Sequence, residues 1–241
     1  MKNTKDTDYY RILILRTIGN FMILSSLFMI GKTFYQPVRE ELRYLYEQQT
    51  QKEYIVATNE TEAKTIIQRD FGSHAAKGSL REVLERENVG LLIPADPNFS
   101  IVIPKIAANA PVIANVDAGD REDYLEALKK GVAQAQGSAF PGEGGHIYMF
   151  AHSTDYVWNV GSYNAVFYLL YKLETGDEVD IFYKGQRFVY KVTGKEIVNQ
   201  DEVEYIIRKT DKEFLTLQTC WPPGTTLKRQ MIFAERVVEN K

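Results

Sequence analysis

LTLQTCWPPGTTLKRQMIFAE, residues 215 to 235, decides which fold the chain adopts. The segments on either side of Trp-Pro-Pro-Gly favour β-strands, so the stretch predicts two strands joined by a loop. Cys220, the only cysteine among 241 residues, ends the first strand. A single cysteine cannot form an internal disulfide. It is therefore a buried small side chain, an intermolecular link or a reactive thiol.

The composition describes a folded protein without a large charge excess. Hydrophobic residues make up 44% of the chain and aromatic residues 12%, which is enough to build a core. The 29 basic and 32 acidic residues give a formal net charge of -3. Proteins that bind nucleic acids need a basic surface to neutralise phosphates, so this near-balance argues against that class.

The most apolar stretch is RILILRTIGNFMILSSLFMIGKTFY, residues 11 to 35. With its flanks it reaches the roughly 20 residues that a membrane span needs. No A-x-A-type cleavage site follows it, which favours an uncleaved anchor over a secretory signal or a buried core helix. Basic residues near the amino end favour a cytoplasmic amino terminus. We therefore predict that residues 1–35 are a tail and a single-pass anchor, with the remaining chain outside the cytoplasm.

Residues 36–90 form the second predicted region. VREELRYLYEQQTQKEYIV places apolar residues on one helical face, and GSLREVLEREN predicts another short helix. The rest of the region is polar and weakly patterned. We interpret residues 36–90 as a partly helical stalk, and the alternative that part of it packs on the following domain stays open.

From Leu91 the pattern changes to short strands, which predicts a third region at residues 91–241. FSIVIPKIAANAPVIANV is rich in Ile and Val and is interrupted by Pro104 and Pro111. Short helices are predicted at residues 121–135, with Gly131 as a stop, and at 161–176. Many short strands without alternating βα units predict an antiparallel barrel or sandwich with inserted helices.

Two of the three histidines bracket the predicted strand HIYMFAH. His146 and His152 are separated by an even number of residues, so on a regular strand both point to the same face. No close Cys-x-x-Cys or His-x-x-x-His spacing supports a zinc site, and we predict no metal. His74 lies in the polar stalk and receives no role.

A thiol and an imidazole that meet in space can act as a nucleophile and a proton carrier in acyl transfer. The oxyanion formed in that reaction needs hydrogen-bond donors or a fixed positive charge. Arg229, on the strand after the Trp-Pro-Pro-Gly loop, offers five rigid donors. To share a face with Cys220 it must oppose an even-numbered residue of the first strand. Otherwise it is an ordinary exposed strand residue.

These segments together resemble the bacterial sortases. LTLQTC followed by an arginine on the next strand resembles their TLxTC signature, and MFAHS resembles their Gly-His segment, with Ala151 where glycine is more usual. IVIPKIAANAPVI resembles their early strands. GVAQAQGSAFPGEGGHIYMFAHS resembles the stretch that leads to the histidine, and FYLLYKLETGDEVDIFYKGQRFVYKV the helix, Gly-Asp turn and paired strands that follow. The resemblance runs from Ile101 to Val238.

The resemblance implies a closed β-barrel of about eight strands with short inserted helices, behind a membrane helix and stalk. It also implies a cysteine transpeptidase at the outer face of a bacterial membrane. Cys220 would be the nucleophile, His152 the proton carrier, and Arg229 the group that positions substrate and stabilises the oxyanion. Thr219 would contact the substrate backbone, and the alternative that it is an ordinary strand residue stays open. Trp221-Pro222-Pro223-Gly224 is a departure from the family pattern; we interpret it as a stiff wall beside the thiol and predict that Trp221 binds substrate.

The implied substrates are secreted proteins with an LPxTG-like sorting motif. The implied acceptor is an amine of a cell-wall precursor or a pilin lysine, and no cofactor is required. Two alternatives stay open. One is a peptidoglycan L,D-transpeptidase, although LQTC lacks the Ser-x-Gly-Cys stretch of that family. The other is a non-catalytic surface module, against which the joint presence of Cys220, His152 and Arg229 argues.

Two smaller features receive the simpler interpretation. ADPNFS, residues 95–100, loosely resembles the Asp-Pro-aromatic lid of pilin-type sortases, but an ordinary Asp-Pro turn is favoured. The acidic residues Asp201, Glu202 and Glu204 are interpreted as solvated charges, and we do not predict calcium binding.

Overall fold

The computed structural model describes residues 4–72, 79–153, 165–205, 210 and 212–238. The chain divides into two compact units, residues 1–42 and 43–241. Helix α1, Thr4–Gln49, supplies the first unit and the beginning of the second. In the first unit large apolar side chains such as Phe21, Leu24 and Phe28 are exposed. By length and composition this helix is a candidate membrane span, although a signal sequence near the amino end has the same properties.

The remaining elements belong to the second unit. The helices are α2 (Glu60–Phe71), α3 (Leu80–Arg86) and α4 (Arg121–Lys130), with short 3-10 helices at Pro104–Ile106, Leu170–Lys172 and Val203–Tyr205. The strands are β1 (Glu53–Val56), β2 (Val89–Leu92), β3 (Phe99–Ile103), β4 (Ala108–Val116), β5 (Val132–Ala135), β6 (His146–Phe150), β7 (Glu178–Tyr183), β8 (Gln186–Asn199), β9 (Phe214–Trp221) and β10 (Lys228–Arg236).

Eight of these strands form a closed barrel in the order β10-β8-β7-β3-β4-β5-β6-β9. The pairing of β9 with β10 closes it. This confirms the predicted closed barrel of about eight strands with short inserted helices. The antiparallel pattern expected from the sequence holds for most neighbouring strands, but β4 pairs with β5 and β6 with β9 in parallel. Parallel neighbours are distant in sequence, and the residue pattern of one strand does not reveal them.

Alternation along the strands separates a core face from an outer face. Leu215 and Leu217 of β9, and Ile232 and Ala234 of β10, are fully buried in the main hydrophobic core. Burial of a large aliphatic side chain contributes about 1.5–3 kcal/mol, so these positions fix the register of both strands strongly. The even-numbered residues of β9, which include Cys220, therefore lie on the outer face.

Two predicted helices differ from the structure. The helix that begins at Arg121 ends at Lys130, as the predicted stop at Gly131 requires, but residues 132–135 form β5 and not a continuation of the helix. Gly131 permits this change because a Cβ there would lie 2.1 Å from the carbonyl oxygen of Pro111, so only glycine lets the backbones approach. Pro111 itself does not interrupt β4. It lies where β4 changes partner, from β3 to β5.

The helix predicted at 161–176 is not an α-helix in its described part. Residues 165–173 make turns whose N–H groups bond three residues back, for example Leu170 to Phe167 and Leu173 to Leu170. Phe167, Leu170 and Leu173 are all fully buried. Their spacing of three residues matches the period of a 3-10 turn, and core packing therefore favours the tighter conformation. Residues 161–164 lie outside the described residues.

Part of the predicted stalk packs on the barrel. Val56 of β1 shares a small hydrophobic cluster with Val102 and Phe182 of the barrel wall. The Arg187 guanidinium donates to the Val56 carbonyl at 3.2 Å. Strand β1 also pairs in parallel with β2. These contacts agree with the alternative left open for residues 36–90, while the predicted boundaries at 35 and 90 stay predictions.

Candidate active site

The pairing of β9 with β10 places Arg229 directly opposite Cys220. Directly opposed residues of antiparallel strands have Cα atoms about 4.5–5.5 Å apart and point to the same face. The register thus meets the condition set from the sequence, that Arg229 must oppose an even-numbered residue. A slip of one residue would turn the guanidinium to the other side of the sheet.

The loop between these strands holds the arginine from the other side. It contains a cis peptide bond between Trp221 and Pro222 and a turn in which the Thr225 N–H donates to the Pro222 carbonyl at 3.0 Å. The Arg229 guanidinium donates to the carbonyls of Thr226 and Lys228, each at 3.1 Å. Both bonds are made by Nη1, so they hold one terminal nitrogen of the guanidinium at the loop, on the residue directly opposite Cys220.

His152 follows β6, which pairs in parallel with β9 on the side away from β10. Phe150 is level with Gln218, and the Ala151 N–H continues the ladder by donating to the Gln218 carbonyl at 3.1 Å. Continuation of the same register by two residues would bring His152 level with Cys220. Cys220 and Arg229 thus lie on one face of β9 and β10, and His152 follows the end of β6, the neighbouring strand on the other side of β9.

Thr219 lies on the opposite face of β9 and is 4% exposed. Its hydroxyl donates to the Ala151 carbonyl at 2.9 Å. In this arrangement Thr219 fixes the segment that carries His152, and its contact with a substrate backbone stays a prediction. Trp221 ends β9, where its ring centroid lies 5.3 Å from that of Tyr171. Its predicted part in substrate binding also stays a prediction.

Burial sets the protonation of the thiol and imidazole. It raises the pKa of the Cys220 thiol, and the charge of Arg229 offsets part of this rise. Burial lowers the pKa of His152. Both shifts favour the uncharged form of their group, so near neutral pH the thiol and the imidazole are both uncharged.

Two further polar residues lie on this face and were missed in the sequence. Tyr148 of β6 is 1% exposed, and its hydroxyl donates to Oε1 of Gln218 at 2.5 Å. Burial raises the pKa of Tyr148, and the charge of Arg229 acts against this rise, which places the tyrosine within the field of the site. The alternation of side chains along a strand is the signal that identifies both, because Tyr148 is an even number of residues from His152 and Gln218 is an even number of residues from Cys220.

His146 starts β6 on the same face, but it lies far down the strand from Cys220. Its Nε2 makes a buried 2.8 Å hydrogen bond with the Thr216 hydroxyl. Its ring also lies against Tyr148 and Phe214. These contacts give His146 a packing role between β6 and β9.

Residues 95–98 form an ordinary turn. Asp96 Oδ1 accepts the Asn98 N–H at 2.7 Å, and the carbonyls of Pro97 and Asn98 accept from Gly185 and Lys184. Phe99 directly enters β3 and is buried. This agrees with the simpler interpretation of ADPNFS.

Comparison with known proteins extends these observations. A family model described as the sortase domain matches residues 101–237. Sortase D of Bacillus subtilis (strain 168) is 32% identical over 138 residues, which cover 56% of this chain and 61% of that protein. The chain thus spans about three fifths of the length of this relative.

Solved structures of sortases are similar as well. A lid mutant of sortase A from Corynebacterium diphtheriae is 26% identical, with a TM-score of 0.49, and the match covers 60% of this chain and 72% of that one. Sortase C-1 from Actinomyces oris is 27% identical, also with a TM-score of 0.49, over 60% of this chain and 74% of that one. Because the sortase family model matches more than half of its residues, this chain belongs to the sortase family.

Proposed function

We propose that this chain is a sortase-type cysteine transpeptidase. It would cleave an LPxTG-like sorting motif through a thioester on Cys220 and transfer the acyl group to an amine. The observation that carries the proposal is the register that sets Arg229 directly opposite Cys220, with His152 two residues beyond the end of β6, the strand paired with β9 on its other side. A thiol, a proton carrier and a cationic donor close together are what acyl transfer needs.

The first half-reaction forms the thioester. The Cys220 thiol gives its proton to His152 as the sulfur attacks the carbonyl carbon of the scissile bond. The Arg229 guanidinium stabilises the oxyanion that results. Collapse of this intermediate breaks the C–N bond, and the leaving amine takes the proton from His152.

The second half-reaction regenerates the thiol. An acceptor amine attacks the thioester carbonyl and gives a proton to His152. The tetrahedral intermediate again places its negative charge beside Arg229. The sulfur leaves, a new amide bond remains, and Cys220 recovers its proton from the imidazole.

The raised thiol pKa and lowered imidazole pKa fit a transfer of the proton during attack. The resting pair is uncharged, so the thiolate arises when substrate and His152 are in place. A thiol kept protonated in this way is also less open to oxidation, because the thiolate is the reactive form.

The test is to incubate the full chain in detergent with a library of sorting-motif peptides and several amines. Mass spectrometry should find a thioester on Cys220 and the amide product. Cys220→Ala should keep the melting temperature within a few degrees and lose all cleavage. A Cys220→Ala protein that still cleaves peptide would sink the proposal, and no adduct across the library would favour the binding-module alternative.

We also propose that α1 anchors the enzyme as a single span with the barrel outside the cytoplasm. The exposed apolar side chains of residues 18–30 and the basic residues at the amino end support this. The expressed chain should stay with bacterial membranes after alkaline extraction, and added protease should degrade the barrel in intact spheroplasts. Protection of the barrel in spheroplasts would reverse the proposed orientation.

A further inference from the structure

Tyr148 of β6 and Gln218 of β9 form a hydrogen bond on the face of the sheet that carries Cys220. Gln218 lies two residues before Cys220 on the same face of β9, which corresponds to about 6.6–6.8 Å along a strand. Tyr148 reaches it from β6, on which Phe150 is the residue directly level with Gln218. Tyr148 is buried, whereas Gln218 is partly exposed.

This bond fixes the orientation of the Gln218 side chain. The phenol has one proton to donate, and it donates that proton to Oε1 of Gln218. The two N–H donors of Nε2 are then directed away from Tyr148. Within the described part of the chain these donors meet no acceptor, and Nε2 is not fully buried, so it is accessible from the surface.

The bond is one of several that join the two strands. β6 and β9 are also joined by their ladder from His146 to Phe150, by the Ala151 N–H to the Gln218 carbonyl, and by Thr219 to the Ala151 carbonyl. Among these contacts, the bond from Tyr148 is the one that sets the direction of an accessible amide on the face that carries Cys220.

We propose that Gln218 donates a hydrogen bond to a backbone carbonyl of the peptide substrate, two residues from the carbonyl that Cys220 attacks. This inference rests on the proposed function. An extended peptide advances about 3.3–3.4 Å per residue, so two residues of substrate match the separation of Gln218 and Cys220. Tyr148 is the positioning residue that keeps the amide nitrogen directed toward the substrate.

Such a contact makes the enzyme select substrates whose backbone is extended at this position. An amide donor at this distance binds a carbonyl in an extended peptide and loses its partner when the peptide bends there. A hydrogen bond that forms in the bound substrate and persists through the reaction lowers KM with little effect on kcat. Gln218 should therefore act mainly on KM.

The test uses the full chain in detergent with the library peptide that the wild-type protein cleaves fastest, at a saturating amine concentration. Gln218→Met removes the donors and keeps the size of the side chain. Gln218→Glu keeps the acceptor for Tyr148 but removes the donors. Both should lower kcat/KM about tenfold, mainly through KM, as expected for one lost hydrogen bond.

Tyr148→Phe removes the bond that orients the Gln218 amide but leaves the amide itself available to bind the substrate. It should lower kcat/KM about threefold while Gln218 is present and have no further effect in the Gln218→Met background, because both changes act through one amide. A melting curve for each variant excludes unfolding. Iodoacetamide alkylation of Cys220 in Gln218→Met reports the reactivity of the thiol without a peptide.

A second arm locates the carbonyl. Each peptide of a second set has one backbone carbonyl reduced to methylene. Wild type should keep a higher kcat/KM than Gln218→Met for every such peptide except the one that lacks the carbonyl bound by Gln218, for which the two proteins should be equal. If wild type forms the thioester and both Gln218 variants keep its KM, the inference fails and the proposed function stands. If Tyr148→Phe and Gln218→Met lower kcat/KM independently, Tyr148 does not act through the amide. If wild type forms no thioester, the proposed function itself fails.

Discussion

Replacement of Arg229 by alanine tests the arrangement of the site most directly. Arg229 is opposite Cys220 in the β9–β10 pairing and is anchored by the carbonyls of Thr226 and Lys228. Loss of one oxyanion donor costs about 10²–10³ in kcat in well-studied acyl-transfer enzymes. We expect a loss of that size in kcat/KM for Arg229→Ala with a sorting-motif peptide.

The same substitution should change the thiol. The charge of Arg229 lowers the pKa of Cys220 against the larger effect of burial, so Arg229→Ala should raise that pKa further. Alkylation by iodoacetamide, followed from pH 6 to pH 11, measures the thiolate fraction without any substrate. Its titration curve should move to higher pH in Arg229→Ala.

Two variants separate charge from geometry. Arg229→Lys keeps the positive charge, so the thiol should titrate close to its wild-type value, but lysine lacks the rigid fork and should recover only part of the activity. Lys228→Ala is the matched control, because Lys228 is an exposed neighbour paired with Trp221 and points to the other face.

Stability should change little in Arg229→Ala. The two hydrogen bonds that it removes lie at the surface, and net contributions of about 0.5–1.5 kcal/mol are typical for such bonds. A fall of activity below tenfold, or a thiol titration that does not move upward in Arg229→Ala, would refute the assignment of Arg229 to the site.

Three further predictions concern pH and the residues around the site. A plot of kcat against pH should be bell-shaped. Its acidic limb should lie below the ordinary imidazole pKa of 6.5 and its basic limb above the ordinary thiol pKa of 9.0, because burial lowers the pKa of His152 and raises that of Cys220. Limbs between these two values would contradict the burial argument. Thr219→Val should cost about 1 kcal/mol in urea unfolding and lower kcat, since it frees the segment before the histidine; an unchanged kcat would show that this bond does not position the imidazole. Burial raises the pKa of Asp180 to about 6 despite its ion pair with Arg187, so the folded state keeps this proton to higher pH than the unfolded state. The stability that this group contributes should therefore fall as pH rises from about 4 to 6. The free energy of unfolding plotted against pH should have a different slope in wild type and in Asp180→Asn across this range, and parallel plots would contradict the prediction.

The resemblance to the sortases carried the prediction of the site, and parity along the strands set a condition on it. That condition is met, because Cys220, near the end of β9, pairs directly with Arg229. The pairing partners were not visible, because the contact between β6 and β9 joins residues about 70 positions apart. Tyr148 and Gln218 were missed for this reason, since their meaning depends on which strands are neighbours.

The errors in the fold have local causes. The apolar residues of 161–176 are compatible with an α-helix, but Phe167, Leu170 and Leu173 are spaced by three residues, which packs them on one side of a 3-10 turn. The helix that begins at Arg121 ends at its predicted stop, Gly131, and only the assignment of residues 132–135 was wrong, because they form β5. In both cases the tertiary contacts of the barrel decide the local conformation.

Ala151 shows how the barrel accommodates a departure from the sortase pattern, in which glycine usually precedes the histidine. Glycine is required where the backbone adopts a positive φ, and Ala151 is not among the residues that do so. Its N–H donates to the Gln218 carbonyl and its own carbonyl accepts from Thr219, so both backbone groups are bonded to β9. Its methyl group is buried in the core, where glycine would leave the chain with more freedom in the unfolded state. Alanine at this position therefore favours a fixed register over mobility, and the segment that leads to His152 is held by the pairing of β6 with β9 rather than by a flexible hinge.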